Sequence, residues 1–161
     1  MARDLFSIGT YLTALVALTD QLSKHWFLSV SDGMPKVMRV SSFLNFRLSW
    51  NKGVTFGLMN NLGVWMPYIL IGVTLIILLL LFNWLRKART MYAALGLGLV
   101  MGGAIGNVID RLRFGAVVDF IDFHYAGYHW YTFNVADSAI VLGVGLLLLE
   151  NFIMSRKSGK G

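Results

Sequence analysis

Two aspartates, Asp119 and Asp137, stand where long apolar stretches give way to polar ones. An ionisable group retained at a membrane boundary is costly and marks a functional site. Two carboxylates brought together divide the work: one keeps a proton, the other is ionised, and a water between them is activated. Gly115-Ala116-Val117-Val118-Asp119-Phe120 embeds one acid among apolar residues. Burial there raises a carboxyl pKa above its ordinary value of about 3.9, as suits a general acid. If this stretch is extended, Asp122 is expected to point the same way as Asp119. Asn134-Val135-Ala136-Asp137-Ser138 reads in two ways. Asn134 is a good N-cap with Asp137 at the third helical position, a capping-box-like start, or else the acid is a working group. Asp110 favours the second reading. It closes an apolar run in Asn107-Val108-Ile109-Asp110-Arg111, at a helix C-terminus where the dipole disfavours an acid, and is expected to pair with Arg111. Asp20 and Lys24 form an i, i+4 pair at the end of the first apolar run, read as a solvated helix-end salt bridge with a structural role.

Other chemistries find less support. With no cysteine there are no disulfides, thiolate metal sites or cysteine nucleophiles. His25, His124 and His129 make no His-Glu-x-x-His pattern, and His124 and His129 read as loop or interface residues rather than ligands. No Gly-x-Ser-x-Gly elbow or phosphate-binding glycine loop occurs. Glu150 lies within the last apolar run and reads as snorkelling or paired. No metal and no cofactor is expected.

The elements that must position these residues are membrane helices. The chain is 57% hydrophobic and 14% charged over 161 residues, with a mean hydropathy of +0.65. Soluble domains carry roughly 25% charged residues. Four apolar segments, at about 5–24, 62–85, 91–109 and 135–153, approach the roughly 20 residues that cross a bilayer as a helix. The expected fold is therefore an all-α membrane protein: one domain over 1–161, a bundle of four transmembrane helices. The net charge of +6 does not point to nucleic acid, because basic residues flank the apolar runs rather than forming a face. Arg3, Arg86, Lys87, Arg89, Arg156, Lys157 and Lys160 are dense in short segments on one side. Their counterparts on the other side are diluted in long loops and offset by acids. Both termini are thus expected in the cytoplasm, with loops 25–61 and 112–134 outside. Met1–Leu18 lacks a small-residue cleavage site and reads as an uncleaved first span.

The first outer loop has a different texture. Lys36-Val37-Met38-Arg39-Val40 and Asn45-Phe46-Arg47-Leu48-Ser49-Trp50 alternate polar and apolar, with turn signals at Asp32-Gly33 and Asn51-Lys52-Gly53. A small extracytoplasmic sheet-like loop domain on the membrane surface follows. Gly98-x-x-x-Gly102 and Gly102-x-x-x-Gly106, with Ala139-x-x-x-Gly143 as a counterpart, permit close helix packing that would bring Asp119 near Asp137.

Several of these segments together resemble lipoprotein signal peptidase, the type II signal peptidase family of bacteria. They are Asp20-Gln21-Leu22-Ser23-Lys24, Asn51-Lys52-Gly53-Val54-Thr55-Phe56-Gly57, Gly103 to Arg111, Val117-Val118-Asp119-Phe120 and Phe133-Asn134-Val135-Ala136-Asp137-Ser138. They occur in the family's order across nearly the whole chain. Thr55 stands where the family often has Ala. The resemblance implies an aspartic endopeptidase of the bacterial inner membrane. It would cut prolipoproteins just before a diacylglyceryl-modified cysteine, needing no cofactor, and be inhibited by the cyclic peptide globomycin. It implies Asp119 and Asp137 as the catalytic pair. Asn51, Asn107, Arg111 and Asn134 would line or support the site, and Gly53, Asp110, Asp20 and Lys24 from the same motifs count with them. Membrane lipids are implied partners, and a monomer is expected. Two rivals from other classes are a small transporter or channel and a non-catalytic membrane scaffold. A transport path needs charges spread across the bilayer, whereas nearly all of these lie near one face.

Overall fold

The structure is a computed structural model and describes residues 2–31, 33, 36–53 and 64–158. Asp32, the Val54-Thr55-Phe56-Gly57 part of the second motif, Leu62 and Lys160 lie outside the described residues, as do the side chains of Arg3 and Lys157. The elements in order are α1 (Ala2–Ser31), β1 (Met38–Arg39), β2 (Leu44–Asn51), α2 (Met66–Leu85), α3 (Met91–Phe114), β3 (Val117–Tyr125), β4 (Tyr128–His129) and α4 (Val135–Ser158). All four helices are long and apolar enough to cross a membrane.

α3 is the central helix, and its glycines explain why. A Cβ at Gly98 would come within 2.7 Å of the Gly9 carbonyl oxygen, and one at Gly102 within 2.7 Å of the Thr13 carbonyl oxygen, so α1 lies directly against this stripe. The Thr13 hydroxyl spans the contact, 2.9 Å from the Gly9 carbonyl and 3.3 Å from that of Gly98. On the other flank a Cβ at Gly143 of α4 would sit 2.6 Å from the Gly96 carbonyl oxygen. Leu85, Ala94 and Leu97 close the opposite end of the bundle as a fully buried apolar cluster.

Three helices run further than the apolar pattern foretells: α4, which continues past Ile153 to Ser158, and α1 and α3, each of these two for a local reason. α1 continues past Lys24 because its last turns have a surface to pack on. Phe27 stacks on Phe120 of β3 at 4.9 Å and meets Phe46 of β2 edge-on at 6.2 Å. α3 continues past Ile109 to Gly115, whose φ of +68° and N–H bond to the Arg111 carbonyl end the helix in a left-handed cap. Asp110 is therefore inside the helix and not at its terminus.

The four strands form one antiparallel sheet in the order β1-β2-β3-β4. β2 is the strand that the alternation foretells. β3 crosses a segment read from the sequence as loop, and supplies the partner that β2 needs. Their register sets Ser49 opposite Asp119 and Asn51 opposite Val117, with an irregularity between Phe46 and Ser49. β3 turns into β4 through Ala126-Gly127, both at positive φ, as a two-residue hairpin requires. The sheet sits on the end of the bundle where α1 and α3 finish and α4 begins.

Candidate active site

At that end lies a buried ionic knot. Lys24 Nζ is 2.8 Å from Asp20 Oδ2, 2.9 Å from Asp110 Oδ2 and 3.1 Å from Asn107 Oδ1. This corrects two expectations. The Asp20–Lys24 pair is not solvated, since the two residues are 0% and 2% exposed. The partner of Asp110 is Lys24 from α1, supplemented by the Gln21 amide at 2.8 Å, and not Arg111. Arg111 instead donates from its guanidinium to the Asn107 carbonyl at 3.4 Å, with its charge facing Asp137, Asp110 and Asp119. A lone cation between two acids sustains its own burial because every acid oxygen finds a donor.

The remaining oxygens show what the knot does. Asp20 Oδ1 accepts from the Ala136 N–H at 2.9 Å, and Asp110 Oδ2 accepts from the Val118 N–H at 3.0 Å. Ala136 immediately precedes Asp137, and Val118 immediately precedes Asp119. Each knot carboxylate thus holds the backbone amide next to one of the two aspartates singled out from the sequence. In this way α1 and α3 fix the starting points of both side chains.

Three asparagines then join those side chains. Asn134 Nδ2 donates to Asp119 Oδ1 at 2.7 Å, and Asn107 Nδ2 donates to Asp137 Oδ1 at 2.9 Å. Lys24 donates to Asn107 Oδ1, as does the Asn134 amide at 3.3 Å, so the Asn107 NH2 group is left facing Asp137. Asn51 bonds Asp119 from the β2 side. Its own Oδ1 accepts from the Gly53 N–H at 2.8 Å, a turn that Gly53 makes at φ +73°. The capping reading of α4 also holds. The Asp137 N–H donates to Asn134 Oδ1 at 2.9 Å, and Asp137 Oδ2 accepts from the Asn134 N–H at 3.3 Å. Asp137 is therefore cap and site member at once, one oxygen for each task.

Asp119 is 1% exposed. Burial, and then the negative charge of Asp137, push its pKa up to about 6 against the opposing bonds from Asn51 and Asn134 and the charge of Lys24. Asp122 does not share its direction. An offset of three along a strand points side chains to opposite faces. Asp122 instead bonds the Asn45 amide at 3.2 Å and lies 2.9 Å from His129 Nδ1.

Beside Asp137 opens an apolar cavity of about 990 Å³, walled by Phe123, Tyr131, Phe133, Val141 and Leu142 among others. Glu150 is elsewhere. It accepts from the Thr90 hydroxyl at the far end of α3, roughly 30 Å along the helix from Asp110. The acids therefore do not line a path across the bundle. Gln21 and Asn45 are polar partners that the sequence reading assigned no role. A glutamine beside Asp20 in an apolar run was the available signal for the first.

A family model described as signal peptidase (SPase) II matches residues 12–153. A protein of Nitrobacter hamburgensis named lipoprotein signal peptidase is 44% identical over 150 residues, covering 90% of this chain and 92% of its own. One of the same name from Coxiella burnetii is 44% identical over 144 residues, covering 86% of each. A bacterial membrane enzyme solved by the in meso method at 2.3 Å superposes with a TM-score of 0.76 at 28% identity, covering 95% of this chain and 91% of the other. With its four helices long and apolar enough to span a membrane, its small sheet and a family model matched over residues 12–153, the chain belongs to the signal peptidase II family.

Proposed function

We propose that this protein is a membrane aspartic endopeptidase. It removes the signal peptide from prolipoproteins by cutting just before the diacylglyceryl-modified cysteine, with Asp119 and Asp137 as the catalytic pair. The observation that carries the reading is the asparagine-bridged arrangement of those two carboxylates at one end of a membrane bundle, opening onto an apolar cavity. Two like charges that act on each other resist simultaneous ionisation and hold one proton between them. The raised pKa of Asp119 makes it the proton carrier at rest. Asp137, fixed by Asn107 and by its own helix start, is the base.

In the reaction Asp137 takes a proton from a water, whose oxygen attacks the scissile carbonyl. Asp119 donates its proton to that carbonyl oxygen. Collapse of the tetrahedral intermediate returns this proton toward Asp119, while the departing amine takes the proton held by Asp137. Arg111, Asn51 and Asn134 keep the pair and the developing charge in place. The substrate signal peptide docks among the helices from the bilayer, and its acyl chains are matched by the apolar walls beside Asp137. The active site faces the outside of the bacterial inner membrane, both termini are cytoplasmic, and the enzyme works as a monomer among membrane lipids. Globomycin, which the resemblance to the family implies as inhibitor, competes for the same cavity.

The test is direct. Detergent-solubilised protein is mixed with a lipidated prolipoprotein and cleavage is followed by electrophoretic mobility. A shift that globomycin blocks, and that the unlipidated precursor does not give, is expected. Equal cutting of both precursors would remove the lipid specificity from the reading.

A further inference from the structure

We propose that Asp122, His124 and His129 form a binding site for a divalent transition-metal ion of the zinc class, separate from the aspartate pair. The hairpin builds it. Asp122 and His124 are two apart on β3 and share a face, and His129 on β4 is the direct cross-strand partner of His124. One ring nitrogen from each histidine and a carboxylate oxygen of Asp122 lie within 4.8 Å of one another. The two imidazoles stack with centroids 5.2 Å apart and planes 17° from parallel.

The donor set is specific in its chemistry. Two imidazoles and one carboxylate suit zinc, copper, nickel or cobalt and do not suit magnesium or calcium, which take oxygen ligands. Metal–ligand bonds of about 2.0–2.2 Å would need the three donors roughly 3.5 Å apart. His129 Nδ1 is already 2.9 Å from Asp122 Oδ1, and its side chain is 47% exposed, leaving room to swing.

Two features prepare the site. Asp122 is wholly buried, and the Asn45 amide holds its carboxylate from behind, a supporting bond of the kind that metal-binding carboxylates carry. Nδ1 of His124 is buried and has no hydrogen-bond partner among the described residues. The carboxylate accepts only, so His129 now donates a proton from Nδ1. An ion binding there takes the Nδ1 lone pair while the ring proton moves to Nε2, and because acid protonates free imidazole, affinity rises with pH. Occupancy would tie β3 to β4. Both histidines wall the cavity that Asp137 also lines, so a bound ion would stiffen that wall.

The test uses full-length protein without a histidine tag, in detergent, titrated with Zn²⁺ by calorimetry and with Co²⁺ by visible absorption. One ion per chain with micromolar or tighter affinity is expected, weakening on acidification. His124→Ala and His129→Ala should each weaken binding at least about tenfold. The double variant should abolish the Co²⁺ band, and His25→Ala should leave it unchanged. Because His129 is exposed and the Asn45 amide still holds Asp122, its variant is expected to keep a cooperative unfolding transition. Absence of saturable binding in the micromolar range overturns the proposal, and so does a double variant that binds as wild type, which would mean an adventitious ion only.

Discussion

At the level of single residues, the electrostatics of Asp119 govern how the protein responds to pH. Its carboxyl is raised from an ordinary 3.8 to about 6 by burial and by Asp137. Below 3.8 the group is protonated whether the chain is folded or not. As pH rises through about 6 the folded chain must carry a buried charge that the unfolded chain carries freely, and stability is lost. The full shift corresponds to about 3 kcal/mol. Asp119→Asn cannot ionise, so its stability relative to wild type should improve by about that amount between pH 4 and pH 8. Thermal unfolding in detergent checks this, and a gap independent of pH would contradict it. The same titration acts on catalysis in the opposite direction to a simple base. If Asp119 supplies the proton, kcat/KM should fall as pH rises above about 6. A rate that climbs through that range would assign the acid role elsewhere.

At the level of elements, the ionic knot explains how α1 and α3 place two aspartates carried by β3 and α4. Lys24 on α1 neutralises Asp20 and Asp110, and these two grip the amides beside Asp137 and Asp119. Lys24→Met removes the charge but keeps the length. It leaves two buried carboxylates facing each other and should cost about 3–5 kcal/mol. A steep fall in unfolding temperature and in membrane yield is expected, and an unchanged unfolding temperature would show the knot to be dispensable. Much of this element arrangement is legible in the sequence. The apolar runs give the helices, the glycine spacing gives close packing on α3, and the alternation in 45–50 gives β2; the partner of the Gly98–Gly102–Gly106 stripe is however α1, while Gly143 of α4 meets Gly96. β3 is not legible as a strand. Val117, Val118 and Phe120 put apolar residues on both faces, with only Asp119 between them, because both faces are buried there, so the two-residue period that marks β2 is absent. The partner of Asp110 is hidden for a different reason. Sequence offers only near neighbours such as Arg111, whereas Lys24 comes from 86 positions away through helix packing. Asp122 was set on the wrong face because a strand offset of three was treated as though it preserved direction.

At the scale of the whole molecule, the polar site, the sheet and the apolar cavity gather at one end of the bundle, and α2 turns a nearly unbroken apolar surface outward. That polarity must match the membrane if the substrate is to meet the aspartates. The chain has no cysteine, so a single introduced one reports alone. Ser42→Cys beside the sheet should react in intact cells with a membrane-impermeant maleimide. Ser155→Cys near the end of α4 should react only after the cells are broken. The reverse pattern would place the site on the wrong side for a substrate exported through the membrane. The account as a whole rests on Asp119 and Asp137 sharing the chemistry, and one comparison decides it. Purified wild type, Asp119→Asn and Asp137→Asn are assayed on the same lipidated prolipoprotein, at matched levels of folded protein. Each substitution is predicted to reduce cleavage by at least about a thousandfold while the unfolding transition stays cooperative. Cleavage within a few-fold of wild type in either folded variant would contradict the two-aspartate mechanism.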